Sequence, residues 1–271
     1  MKTVIFSLTL GALSGLSACS NQTPTNKEVS KSISNTLTAK DLEGSWVNVR
    51  YLDALTETRS PRQSADQMGD IALLNFTPAN LKGDSLIGEL SYNGHEGGQY
   101  CVFFKVGKVP NSVQFGEYSA DNTSTPSDLT LENGVLSIAH HDPNEVQAQG
   151  RVKPPYRFRR FSTAVQSLDD GNSMAAVQTL FAGDWTMTDK TGKKTPIKID
   201  NLGKITGVPG YAQLSVLTDY TGEILPHDQV YIFDGESKRP SILHFKHEGK
   251  KITFTTTGEK QKERLEFTWA K

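Results

Sequence analysis

From residue 43 onward the chain is a succession of short β-rich runs, each broken within a few residues by Gly, Asn or Asp. Runs recurring at roughly ten-residue spacing predict consecutive antiparallel strands, closed as a barrel or stacked as a sandwich. In the first half they fall near 44–51, 70–77, 85–92, 99–106, 112–118, 128–132, 135–140, 145–151 and 156–161. In the second half they fall near 184–189, 195–200, 211–218, 228–234, 241–247, 250–257 and 262–269. Asn133-Gly134, set between two apolar runs, is a two-residue hairpin signal, because both residues tolerate positive φ. Thr191-Gly192, Asn201-Leu202-Gly203 and Glu248-Gly249 punctuate the second half in the same way.

One stretch breaks the β pattern. Residues 173–181 predict a short helix with Ser173 as its cap and Met174, Val177, Leu180 and Phe181 on one face. Asp169-Asp170-Gly171-Asn172 before it reads as linker. The chain therefore divides into a first β domain at 41–163, a linker with a short helix at 164–182, and a second β domain at 183–271.

Residues 1–18 have the make-up of a secretory signal peptide: one charge at Lys2, a short apolar core and small residues at its end. Leu16-Ser17-Ala18-Cys19 resembles the lipobox of bacterial lipoproteins. The resemblance implies cleavage before Cys19, diacylglycerol on its sulfur, and an acyl chain such as palmitate on the new amino terminus. The same resemblance, to lipoproteins with a neutral residue at the place of Ser20, implies sorting to the outer membrane, and with no acidic residues just after it, it favours the periplasmic side. Residues 20–40 carry few large apolar groups, so 19–40 reads as a lipidated flexible tether. With Cys19 lipidated, Cys101 has no disulfide partner and reads as a buried small hydrophobe in an apolar strand.

The two halves begin alike. Leu42-Glu43-Gly44-Ser45-Trp46 is echoed by Phe181-Ala182-Gly183-Asp184-Trp185, and each half closes on an aromatic strand, at 156–161 and 265–269. Here the sequence resembles the lipocalin-like, or calycin, barrels, which open with Gly-x-Trp and carry a late basic residue over that tryptophan. Gly44 with Trp46, and Gly183 with Trp185, supply the motif. Arg157, Arg159 or Arg160 is the candidate base in the first half and Arg264 in the second. The expected fold is all-β: two consecutive antiparallel meander barrels joined by a short helix.

In an up-and-down barrel, the loops at 52–69, 93–98, 119–127 and 141–144 share the mouth opposite the Gly-Trp end, and 52–69 is placed like a lipocalin lid. The ligand-binding candidates are Tyr51, Arg59, Tyr92, His95, Glu96 and Tyr100. His95 and Glu96 gather there with His140, His141 and Asp142; these read as solvated polarity, although zinc binding or acid–base work uses the same groups. His244 and His247, three apart on a strand, face opposite ways and do not form a chelating pair. On 99–106 both faces are apolar, and whether the barrel is filled or holds a ligand stays open.

Twenty-nine Lys and Arg against 30 Asp and Glu exclude nucleic-acid binding by bulk charge. The sequence has no G-x-S-x-G elbow, no H-E-x-x-H and no phosphate-cradling glycine loop, so no enzyme, cofactor or metal site is expected. The sequence reading is an envelope protein, lipid-anchored through Cys19, that binds a small apolar or amphipathic ligand. The alternative is a protein-interaction or inhibitor scaffold with an envelope protein as its partner.

Overall fold

The computed structural model describes residues 37–92, 96–117, 127–139, 155–164, 167–189, 191–220, 225–235, 239–256 and 264–269, the last as backbone. Cys19, His95, His140, His141, Asp142 and the strand expected at 145–151 lie outside the described residues.

Helix α1 (Ala39–Leu42) leads into β1 (Gly44–Asn48), followed by α2 (Val49–Thr58), α3 (Pro61–Ser64) and a 3-10 turn at Ala65–Gln67. Seven further strands then run as a meander: β2 (Ile71–Lys82), β3 (Ser85–Tyr92), β4 (Glu96–Val106), β5 (Val113–Glu117), β6 (Ser127–Glu132), β7 (Val135–Ala139) and β8 (Tyr156–Ser162). Strand β8 pairs antiparallel with β1, and the eight strands close into a barrel. The Asn133-Gly134 hairpin forms as expected, with φ of 51° and 76° and Glu132 opposite Val135.

The barrel is filled from within. Trp46, Leu74, Phe76, Leu86, Leu90, Val102, Phe115, Leu136 and Phe158 form one buried cluster, and Leu42 of α1 joins it at the end where β1 begins. Alternation along β4 is as the sequence predicts: Tyr100, Val102 and Phe104 belong to this cluster, while Cys101, Phe103 and Lys105 occupy the other face. Cys101 is 2% exposed, and burial pushes its thiol pKa up against the opposing pull of the Ser85 hydroxyl. It is the inert buried thiol that the sequence suggests.

The expected strand to residue 51 and the lid-like loop at 52–69 are corrected: β1 stops at Asn48 and helices take over. Asn48 turns the chain by accepting the Arg50 N–H at 3.0 Å, an N-cap that competes with further strand. Tyr51, Leu52 and Leu55 of α2 then pack against Val47, Ala72 and Leu73, which point outward from the barrel.

Helix α4 (Leu168–Leu180) begins five residues before the expected helix, so the presumed linker at 169–172 is its first turns. Ser173 is not its cap. Its hydroxyl accepts the Val216 N–H at 2.9 Å and lies 2.9 Å from the Ser215 hydroxyl, clasping α4 to a second sheet.

That sheet contains β9 (Gly183–Thr188), β10 (Lys194–Ile199), β11 (Ile205–Thr206), β12 (Gln213–Val216), β13 (Asp228–Phe233), β14 (Ser241–Glu248), β15 (Lys251–Thr256) and β16 (Arg264–Trp269). Its order is β11-β10-β9-β16-β15-β14-β13-β12. The second closed barrel expected from the sequence is not formed: the sheet stays open, and its end strands meet through a single bridge of Lys204 with Gln213. The cause is local. Strand β11 has two residues before Gly207, whose φ of 103° sets its Cα hydrogen toward the Pro196 carbonyl, where a Cβ would collide. Trp185, Ile197, Leu214, Val230, Phe245 and Phe254 of the sheet share one core with Ala176, Val177 and Leu180 of α4 and with α2.

Candidate functional site

The Gly-x-Trp signatures sit at equivalent places in the two halves. Gly44 has φ of 110° and Gly183 φ of 136°, values that favour glycine. A side chain at Gly44 would also overlap the Ser162 carbonyl on β8. Each tryptophan indole donates to the carbonyl four residues earlier, Trp46 to Leu42 at 2.7 Å and Trp185 to Phe181 at 2.6 Å. Both rings are about 1% exposed, so each pays its single N–H donor into the helix end that precedes it.

The basic residue over Trp46 is Arg160, opposite it on β8, with the guanidinium carbon 4.4 Å from the ring centroid. Arg160 also donates to the Asp41 carbonyl and so ties β8 to α1. Arg159 points outward, 4.0 Å from Asp53, and Arg157 is exposed. Arg264 does not take the matching place in the second half. The register sets it opposite Thr255 and puts Trp269 opposite Trp185. The ring beside Trp185 is His247, edge-on with centroids 6.4 Å apart.

Among the ligand-binding candidates, Tyr92 and Tyr100 come together. Their hydroxyls are 2.7 Å apart, and the Tyr100 ring stacks on Phe115 at 4.8 Å. They fill the barrel end opposite Gly44, packed against its core. Glu96 begins β4 beside them. Tyr51 is elsewhere: it is fully buried on α2, in the core shared with the second sheet. Its hydroxyl makes no hydrogen bond and faces Tyr220 and Asp228; burial, with those neighbours, pushes its pKa upward.

Arg59 lies in a different place again. It ends α2 in the left-handed conformation, with φ of 57°, and its guanidinium reaches the Thr179 carbonyl at 3.4 Å, near the C-terminus of α4. There it lines a cleft of about 340 Å³ with Thr179, Leu180, Trp185, His247 and Lys250. Burial, and then the Arg59 charge, hold the His247 imidazole below its ordinary pKa, against the pull of the Leu180 backbone. His247 Nδ1 is buried without a well-formed hydrogen bond. The cleft thus combines two cationic side chains with a half-buried imidazole that packs edge-on against the buried Trp185 ring. That set can hold the anionic head of a small molecule.

His247 and Lys250 were missed as site residues. His247 shares the inward phase of Leu243 and Phe245 on β14, which was readable; its meeting with Arg59 was not. His244 lies on the other face of β14 with His227, ring centroids 4.6 Å apart, so the two β14 histidines do not converge. A second cleft of about 340 Å³, lined by Asp66, Asp70, Thr218 and Tyr220, also joins the halves. Among the described residues no group of three or more His, Cys, Asp or Glu is placed to hold a metal ion.

The first half is thus an eight-stranded antiparallel β-barrel compatible with a calycin-like fold. Comparison with protein-family models, with curated proteins and with solved structures finds no match.

Proposed function

We propose that the chain is a calycin-like lipoprotein of the bacterial envelope, held at the outer membrane through Cys19, that binds a small amphipathic anion in the Arg59–Trp185–His247 cleft. The observation that carries this reading is the cleft itself: a guanidinium and a buried imidazole nitrogen without a well-formed hydrogen bond, the imidazole edge-on to Trp185, in a concavity of about 340 Å³. That volume lies at the small end of the range for ligand sites, ~300–1,000 Å³. The barrel interior supports the same relocation, because Trp46, Phe76, Phe115 and Phe158 occupy the space a calyx ligand would need. The filled barrel also favours a second reading, an interaction scaffold with no small-molecule ligand. No catalytic role is proposed.

Isothermal titration of the full chain in nanodiscs with octanoate, and with octanol as the uncharged counterpart, separates the two readings. Octanoate binds one-to-one and octanol does not. Arg59→Ala weakens octanoate roughly tenfold or more, the loss expected for one charge-assisted hydrogen bond. Equal affinity in wild type and Arg59→Ala, or no octanoate heat at all, rejects the cleft and leaves the scaffold.

A further inference from the structure

The closed barrel has a rim unlike the rest of its surface. Five large hydrophobic side chains are exposed among the described residues, and three of them, Leu81 (44%), Val106 (54%) and Val109 (38%), lie at one end of the barrel. Leu81 is near the tip of the β2–β3 hairpin, paired with Leu86; Val106 ends β4 and Val109 is on the β4–β5 connection. The two tips are neighbours, since Phe104 N–H donates to the Asp84 carbonyl at 2.8 Å and Lys105 lies 3.7 Å from the Asp84 carboxylate. Buried Asp128 fixes the second tip by accepting the Lys108 and Val109 N–H groups at 2.8 and 2.9 Å. The backbone that presents Val109 is thus fixed by the barrel strand β6.

Lysines alternate with them: Lys82 beside Leu81, Lys105 beside Val106 and Lys108 beside Val109. Of the carboxylates at this end, Asp84 is engaged by Lys105, Glu43 by Lys40 and Asp41 by the Thr38 hydroxyl and N–H, while Glu132 stands on the β6–β7 turn. Lys82 and Lys108 have no acidic partner among the described residues.

The same end receives the chain from the N-terminus. Leu37 and Ala39 pack against the barrel core, and α1 closes the barrel there through Leu42. Leu37, eighteen residues after Cys19 in sequence, therefore stands at the end of the barrel that carries Leu81, Val106 and Val109. We propose that this rim is a membrane-contact surface. Its three apolar side chains enter the headgroup–acyl boundary of the bilayer to which Cys19 is attached, and Lys82 and Lys108 meet anionic headgroups. The inference rests on the lipid-anchor reading of Cys19 and is independent of the cleft.

The test uses the full lipidated chain in vesicles of phosphatidylcholine and phosphatidylglycerol whose acyl chains carry bromine near the headgroup. Val106→Trp adds a fluorophore at the rim; Gln99→Trp adds one on the exposed face of β4, about 23 Å away at the strand rise. The expected result is flotation with the vesicles, loss of the added Val106→Trp emission to bromine, and no such loss for Gln99→Trp. Combining Val106→Trp with Lys82→Glu and Lys108→Glu restores the emission without preventing flotation. Flotation with Val106→Trp unquenched, or with both positions quenched alike, overturns the contact surface and leaves the anchor standing. A chain that neither floats nor is quenched overturns both.

Discussion

Arg160 illustrates how much one side chain does here. Its guanidinium lies over the buried Trp46 ring, and it donates to the Asp41 carbonyl, so the last strand, the first strand and α1 meet at one residue. A partly desolvated cation–π contact contributes ~0.5–2 kcal/mol, and a hydrogen bond from a charged donor ~1.5–3 kcal/mol. Arg160→Ala is expected to lower unfolding stability by about 2–4 kcal/mol, read as a shift in the urea midpoint at unchanged slope. Arg159→Ala, one residue away on the outward face, is expected to change it by less than about 0.5 kcal/mol. The sequence named both, with Arg157, as candidates. Choosing among them needs the strand register, because a shift of one residue turns a side chain from the core to solvent. The same gap explains Arg264, whose distance from Trp185 follows from a pairing that sets Trp269 opposite it.

At the level of elements, the meander and its turns were legible because they follow local rules: alternation in β4, paired positive φ at Asn133-Gly134, glycine before each tryptophan. Helix α2 was not. Val49-Arg50-Tyr51-Leu52 alternates well enough to continue a strand, and only the Asn48 cap and the spacing of Leu52 and Leu55 argue for a helix. Helix α4 was placed correctly at its apolar end, but Gly171 and Asn172 disguised its beginning. Gly171 is there because the helix passes close over β2: a Cβ at this position would strike the Leu73 side chain. The clasp at Ser173 gives a prediction at this scale. Ser173→Ala leaves the buried Val216 N–H without an acceptor and is expected to cost about 1–3 kcal/mol. Ser215→Ala keeps that bond and is expected to cost less than half as much. Urea unfolding of the two variants side by side checks the order; equal losses would assign the stabilisation to the hydroxyl pair instead.

Over the whole molecule, the two halves share one apolar cluster that runs from Val47 and Leu73 of the barrel through α2 and α4 to Trp185 and Phe254. The cleft containing Arg59 and His247 exists only because of this junction, which is why no single stretch of sequence announced it. A shared core predicts one cooperative transition in urea, coincident by tryptophan fluorescence and far-ultraviolet dichroism; two separated transitions would show the halves to be independent. The junction also predicts an alkaline weakness. Burial raises the pKa of Tyr51 and Tyr220 in the folded state, so both stay neutral there while the unfolded chain ionises above its ordinary tyrosine value, about 10. Stability contributed this way is complete below about pH 10 and falls above it by ~1.4 kcal/mol per pH unit for each shifted tyrosine. The urea midpoint of wild type should therefore drop more steeply between pH 9 and pH 11 than that of Tyr51→Phe, to the extent of about one tyrosine's slope. Parallel slopes would mean that Tyr51 ionises freely in the fold.

The barrel's outward patch of Val47, Ala72 and Leu73 also has a history within each molecule's lifetime. It is made early in synthesis, yet most of its cover, α4 and the second sheet, lies more than 90 residues downstream of Leu73. Until those residues are made, α2 alone lies over the patch, and the barrel itself cannot close before β8 at Tyr156–Ser162. Closure of the barrel and covering of its outer face therefore fall within a few residues of each other along the chain, β8 ending at Ser162 and α4 beginning at Leu168. A chain cut short before α4 would lack most of the cover for this apolar face, which the finished fold keeps buried.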